Sequence, residues 1–278
     1  MVSGFVVTDG VEIPYWIEGY GIPCIVTCGP SYQRRVLSQQ LRQYFKFIFM
    51  EQRVLHIHEK PISYENVTMD TLVEDIETIR KHLAIDKIAV LGHSMCGLFA
   101  LEYAKKYPEH VTHIIMLNTP PHLEYWASIK DYWEANASEE RMNLYKEKQE
   151  NLEKIREGLS PDEIAVMILV AQDPLRWYDL SFDSSDLWAG YRKNTEGQAH
   201  IMNHLATSYD VRENAPVKIP VFMSQSIHDY VAPYTLWDDY ADVFTDLTLH
   251  VFEKSGHTPQ LEEQDLFDKL LIEWLRAH

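Results

Sequence analysis

The chain has 278 residues, 46% hydrophobic and 24% charged, enough apolar material for one large core. Its 42 acidic and 25 basic residues leave a formal charge of −17, which argues against nucleic acid and anionic membrane as partners, because phosphate contacts need clustered Lys and Arg. No apolar run approaches the roughly 18–20 residues of a membrane span, and the N-terminal stretch lacks the regions of a secretory signal, so a cytoplasmic protein is expected.

In chain order, residues 5–17 alternate and turn at Thr8-Asp9-Gly10, a hairpin signal, and Pro14 marks the second arm as an edge strand. Cys24 to Cys28 form a short apolar run that reads as a buried strand. Residues 32–43 have helical spacing, and Phe45 to Met50 is the next strand. Residues 69–83 predict a surface helix with Leu72, Ile76, Ile79 and Leu83 on one face. A buried strand over Ile88 to Leu91 is followed by helical spacing through Leu98, Leu101 and Ala104 that stops at Pro108. Val111 to Leu117 is again a strand. Continuous rather than alternating apolar runs of this kind indicate an α/β fold whose parallel sheet is covered on both faces.

The rhythm breaks at Thr119-Pro120-Pro121. From there to Ala215 only helices are predicted, one of them opened by Ser160 as N-cap, Pro161 and Glu163. This net-acidic stretch contains Trp126, Trp133, Trp177 and Trp188, and it reads as a lid over a pocket. Strands at Ile219 to Met223 and Leu247 to Phe252, a helix over Tyr234 to Ala241 and an amphipathic closing helix complete the chain. Cys24, Cys28 and Cys96 include no Cys-x-x-Cys pair and read as reduced thiols, the first two as small core residues.

The chemistry converges on Gly92-His93-Ser94-Met95-Cys96, where a strand passes straight into a helix. A serine on such a turn is exposed above the sheet, at a helix N-terminus that favours developing negative charge. Ser94 read alone is also an ordinary helix N-cap. A serine hydroxyl needs a base, and the base needs a group that orients it. In an open α/β sheet both should follow later strands, at the C-terminal edge. Asp229 and His257 stand there, in the order Ser, Asp, His. Neither His56, His58 nor the remaining histidines lie in a metal-ligand spacing, and His93 is expected to pack against the sheet.

These motifs resemble the α/β-hydrolase superfamily along nearly the whole chain, and within it the proline iminopeptidase-like branch. The resemblance rests on the Ser94 elbow, the Asp229-Tyr-Val-x-Pro segment, the Ser-Gly-His257-x-Pro-x-x-Glu-Glu segment and Glu51-Gln52-Arg53, which is similar to Asp-Gln-Arg of that branch. It implies a mostly parallel eight-stranded sheet, with residues 1–118 and 216–278 as the core domain. Residues 119–215 would be a helical cap between strands 6 and 7. It also implies a cofactor-free, metal-free serine hydrolase, with Ser94, Asp229 and His257 as triad. The backbone N–H groups of Met95 and Gly29 would hold the oxyanion, with Ser31 as fallback.

Three departures stand out. Thr27-Cys28-Gly29-Pro30-Ser31 replaces the branch's His-Gly-Gly-Pro-Gly, the loop after Arg53 lacks its glycines, and Cys96 replaces the last elbow glycine. The expected reaction is release of an N-terminal residue from a short peptide, or hydrolysis of a small ester. A carboxylesterase, a C–C bond hydrolase and a non-catalytic small-molecule binder are the alternatives. Ser94 argues against haloalkane and epoxide chemistry, which this fold performs with an Asp nucleophile.

Overall fold

Asp9 and Gly10, both at positive φ, turn the chain between β1 (Val2–Thr8) and β2 (Val11–Gly19). In this computed structural model, which describes residues 2–122, 126–206 and 209–278, the hairpin opens an eight-stranded sheet. The other strands are β3 (Ile22–Val26), β4 (Phe45–Met50), β5 (Ile88–His93), β6 (Val111–Leu117), β7 (Val221–Ser226) and β8 (Leu247–Phe252). Their order is β1-β2-β4-β3-β5-β6-β7-β8, antiparallel through β1-β2-β4 and parallel from there on.

β2 is not the edge strand that Pro14 suggested; β1 is. The β2–β4 ladder starts only at Tyr15, paired with Met50, so Pro14 lies just outside it and no ladder bond is lost to its missing N–H.

The continuous apolar runs are explained by burial on both faces. Ile25, Ile48, Val90, Ile114 and Met223 point to one side, against α2 (Met69–His82) and α3 (Cys96–Lys106). Val26, Phe47, Leu91, Ile115 and Phe222 point to the other, against Phe267, Leu271 and Trp274 of α10 (Gln264–Ala277). Two short helices complete the core: α1 (Pro30–Val36) after β3 and α9 (Pro259–Glu262) after β8. The helix expected over Tyr234 to Ala241 is instead a 3₁₀ turn at Tyr234–Trp237 followed by another at Ala241–Val243. Trp237 is buried there, its indole N–H donating to the Thr119 carbonyl at 2.6 Å and its ring packed on Phe244. Anchoring that ring takes precedence over a continuous helix.

Between β6 and β7 the described residues form helices and no strand: α4 (Trp126–Asn136), α5 (Glu139–Ile155), α6 (Pro161–Ala171), α7 (Asp173–Arg176) and α8 (Thr195–His200). α6 starts with the expected capping box, Ser160 and Glu163 each bonding the other's backbone N–H. Residues 123–125 and 207–208 of the expected lid lie outside the described residues, as does the side chain of Trp126.

Candidate active site

Parallel strands deliver their C-terminal ends to one edge of the sheet, and the sequence-predicted residues meet there. Ser94 follows β5 at φ 57°, a left-handed conformation that costs a side-chain-bearing residue about 1–2 kcal/mol. The turn is held by the Ser94 N–H donating to the Leu117 carbonyl at 2.8 Å. Close approach explains the glycines. A Cβ on Gly92 would meet the Cys96 carbonyl oxygen at 2.2 Å, and one on Gly97 would meet the Thr119 hydroxyl at 1.9 Å. At Cys96 a side chain is accommodated, because the tight contact with the chain after β6 falls at Gly97.

Asp229 follows β7 and is fully buried. Its Oδ2 accepts from His257 Nδ1 at 2.7 Å and from Asn118 Nδ2 at 2.9 Å, while Oδ1 accepts from the N–H groups of Val231 and Ala232 at 2.8 and 2.9 Å. Burial acts to raise this carboxyl, but the His257 charge and these donors outweigh it and hold the group below its ordinary value. Asn118, at φ 42° just past β6, also donates to Ser226 Oγ and to the Gly256 carbonyl. Sequence reasoning missed it. The only signal was an Asn closing a buried strand, and nothing local linked that Asn to Asp229.

The loop that carries His257 is shaped by the two carboxylates of the Glu-Glu pair. Glu262 accepts from the N–H groups of Gly256 (2.9 Å), Tyr178 (2.7 Å) and Thr258 (3.4 Å), and Glu263 from Lys254 N–H and Ser255 Oγ. Burial pushes the Glu262 carboxyl up to about 8 against those donors. The His257 N–H donates to the Arg176 carbonyl at 2.6 Å, an approach that only glycine at 256 permits, since a Cβ there would lie 2.1 Å from that oxygen.

His93 does more than pack. Its Nε2 lies 2.6 Å from the His257 carbonyl and its Nδ1 3.1 Å from Gln33 Nε2, so the neutral ring donates to His257 through Nε2 and accepts through Nδ1. Burial, assisted by the neighbouring His257, lowers His93 to about 3 and keeps it uncharged.

Met95 is the N-cap of α3, where helix geometry leaves its N–H without an intrahelical acceptor. Gly29, at φ 66°, precedes Pro30 at the start of α1, and its N–H donates to Glu51 Oε1 at 3.2 Å. The expected second oxyanion donor is therefore engaged by a carboxylate. Gln52 and Arg53, beside Glu51, serve the scaffold: Gln52 bonds the Leu72 carbonyl, and Arg53 makes a two-pronged buried pair with Asp75 of α2.

Burial raises Glu51 to about 7 against the N–H groups of Gly29 and Gln52. A carboxyl raised in the folded state binds its proton more tightly there than in the unfolded chain. Its contribution is thus fully present below pH 4.5 and lost as pH rises to about 7. The stability of wild type relative to Glu51→Gln is expected to decline across this window in paired urea titrations. A difference flat from pH 4.5 to 8 would refute the assignment.

Cys28 and Cys96 are not free thiols. They form a disulfide across 68 residues of sequence, with a Cα–Cα distance of 6.1 Å, while Cys24 is free and buried. The expectation of three reduced thiols fails because β3 and β5 are parallel neighbours and release the two cysteines at the same sheet edge. Both stand where the resemblance places glycine, so two of the three departures are one bond. Thr27 ties the same loops, donating to the Cys96 carbonyl at 2.8 Å.

Ser94, Met95, His257, Gly29 and Ser31 all line one cavity of about 630 Å³, whose far wall includes Leu169, Arg176, Trp188 and Tyr191. A larger cavity of about 1260 Å³, bounded by Val73, Glu102, Lys105 and His200, holds none of the predicted site residues.

Comparison with known proteins identifies the family of the fold. The chain is 29% identical over 277 residues to the AB hydrolase superfamily protein YclE of Bacillus subtilis, covering 98% of both. It is 26% identical over 221 residues to a proline iminopeptidase of Clostridioides difficile, covering 75% of this chain and 73% of that one. A solved proline iminopeptidase from Mycobacterium smegmatis superposes with TM-score 0.75 at 18% identity, covering 100% of this chain and 98% of that one, and so shares the fold. Residues 22–264 match the family model described as alpha/beta hydrolase fold, and the chain belongs to that family.

Proposed function

We propose that this protein is a serine hydrolase in which Ser94 is the nucleophile, His257 the general base and Asp229 the group that orients the imidazole. The observation that carries the reading is the buried His257–Asp229 pair at 2.7 Å, opening on the same cavity as a serine on a positive-φ turn. Ser94 Oγ would attack an acyl carbon as His257 takes its proton, and His257 would return that proton to the leaving group. Water would then hydrolyse the acyl-enzyme by the same route. Met95 N–H is one oxyanion donor. Gly29 N–H becomes the second when Glu51 releases it, and Ser31 at the first turn of α1 is the fallback.

Residues 119–215 act in this reading as a cap, bonded to the core where Leu175 and Arg176 carbonyls accept from Tyr230 and His257. The substrate is a short peptide losing its N-terminal residue or a small ester. A cytoplasmic setting belongs to the proposal only with Cys28 and Cys96 as a redox-sensitive pair, since persistent disulfides are rare in reducing compartments.

A fluorophosphonate probe is expected to label wild type and not Ser94→Ala. Folded wild type that stays unlabelled would leave a non-catalytic binder. Proline p-nitroanilide beside p-nitrophenyl esters separates the two substrate classes. Proline release no faster than by Ser94→Ala removes the peptidase.

A further inference from the structure

The cavity at Ser94 is lined by three guanidinium groups, and two are already occupied. Arg35 donates to the carbonyls of Leu187 and Ala189, and Arg192 pairs with Asp162. Arg176 differs. Its Nη2 reaches only the neutral Gln172 amide oxygen, at 3.3 Å, and its Nε is buried with no partner at all. Its cationic carbon lies 6.0 Å from the Trp188 ring, and no carboxylate among the described residues pairs with it.

A guanidinium is always charged and presents a planar fork matched to a carboxylate. Leaving a buried N–H of such a group unsatisfied is costly, so this one is suited to an acceptor that arrives with the ligand. Its main chain is anchored beside the base. The Arg176 carbonyl accepts the His257 N–H at 2.6 Å, so the residue carrying the fork is tied to the one carrying the base. Trp188 in turn stacks on Tyr32 at 4.6 Å, and Tyr32 on His93 at 5.8 Å, giving the fork a flat aromatic wall that leads to the elbow. Among the described residues that line this cavity the one carboxylate is Glu51, which accepts from Gly29 N–H, while Asp162 pairs with Arg192 and Asp229 holds His257 from behind. The cavity thus offers one cation without a counter-ion among the described residues.

We propose that the substrate of Ser94 carries a carboxylate, and that Arg176 binds it. The inference rests on the serine-hydrolase reading for the reaction but not for the binding. It favours an acidic ester over an N-terminal amine, which would meet a cation instead of a counter-charge. Arg176 is a specificity residue here, touching the part of the substrate that does not react.

Two measurements test this separately from the chemistry. Monomethyl glutarate is compared with methyl valerate, and acetoxyacetate with propyl acetate, placing the acid on either side of the ester. Wild type is expected to prefer one acidic member by about 10–100-fold in kcat/KM, the range of a charge-assisted pair. Arg176→Gln should lose that preference through KM, with the acidic esters losing about tenfold more than the neutral ones, and Arg176→Lys should restore part of it. Equal rates on acidic and neutral esters, or equal losses on both in Arg176→Gln, overturn the proposal. Glutarate binding to Ser94→Ala, read by calorimetry, stands without catalysis. Binding that Arg176→Gln abolishes supports the assignment, and binding that this variant leaves intact, or no binding, overturns it. Absence of fluorophosphonate labelling would instead sink the hydrolase reading alone.

Discussion

Asp229→Asn is expected to lower kcat by about 10⁴-fold while the protein stays folded, the size of effect seen when a triad acid is neutralised without change of shape. The surroundings of Asp229 dictate how the amide would sit. Val231 and Ala232 N–H groups hold one oxygen, so the amide oxygen of Asn would take that place and its NH₂ would face His257. Two faults follow. The NH₂ would donate to His257 Nδ1, forcing the proton onto Nε2, so the ring could no longer accept from Ser94. It would also confront the NH₂ of Asn118, which donates to the same carboxylate oxygen in the native site. Removing one donor relieves only the second fault, so Asn118→Ala/Asp229→Asn should recover stability and not kcat. Ester turnover measured beside a thermal melt decides the matter. A folded Asp229→Asn protein within tenfold of wild type would exclude Asp229 from the triad.

Breaking the Cys28–Cys96 bond is the second large effect. A cross-link spanning 68 residues stabilises a fold by roughly 4 kcal/mol in the chain-entropy model. Cys28→Ser/Cys96→Ser should therefore melt roughly 10 °C lower. Activity should fall as well. Cys28 immediately precedes Gly29 and Cys96 immediately follows Met95, so the bond joins the two loops whose amides would hold the oxyanion. Loss of one such donor costs on the order of 10²–10³ in kcat. Thiol titration of the unfolded, unreduced chain should find a single thiol, Cys24, and mild dithiol reduction should reproduce the double variant. Three thiols in that titration, or a double variant that melts and turns over as wild type does, would show that the bond is absent or idle.

Much of this architecture is legible in the amino-acid sequence. β4, β6 and β8 run over the residues expected, because runs such as Phe45 to Met50 are apolar on both faces and bounded by polar or turn residues. The expected helix at Tyr234 failed because helical spacing does not show that Trp237 must anchor to the Thr119 carbonyl across the sheet edge. Pro14 misled for a related reason: the strand that dispenses with its N–H is identified by register, and register is a property of the pair.

The sequence by itself determined the family of the fold and singled out the three residues proposed here as nucleophile, base and orienting acid. Strand-helix junctions are local, and the order of the strands places Ser94, Asp229 and His257 at one edge. Only the tertiary structure decided how those groups are tuned. Asn118 on Asp229, His93 on the His257 carbonyl, Glu51 on Gly29 N–H and Cys28 on Cys96 are contacts between loops that follow different strands. So is the position of Arg176, brought against His257 from the segment between β6 and β7. A hydrogen bond or disulfide depends on separations of a few ångströms, set by how strands align and how far each loop projects, and no spacing along the chain encodes that distance.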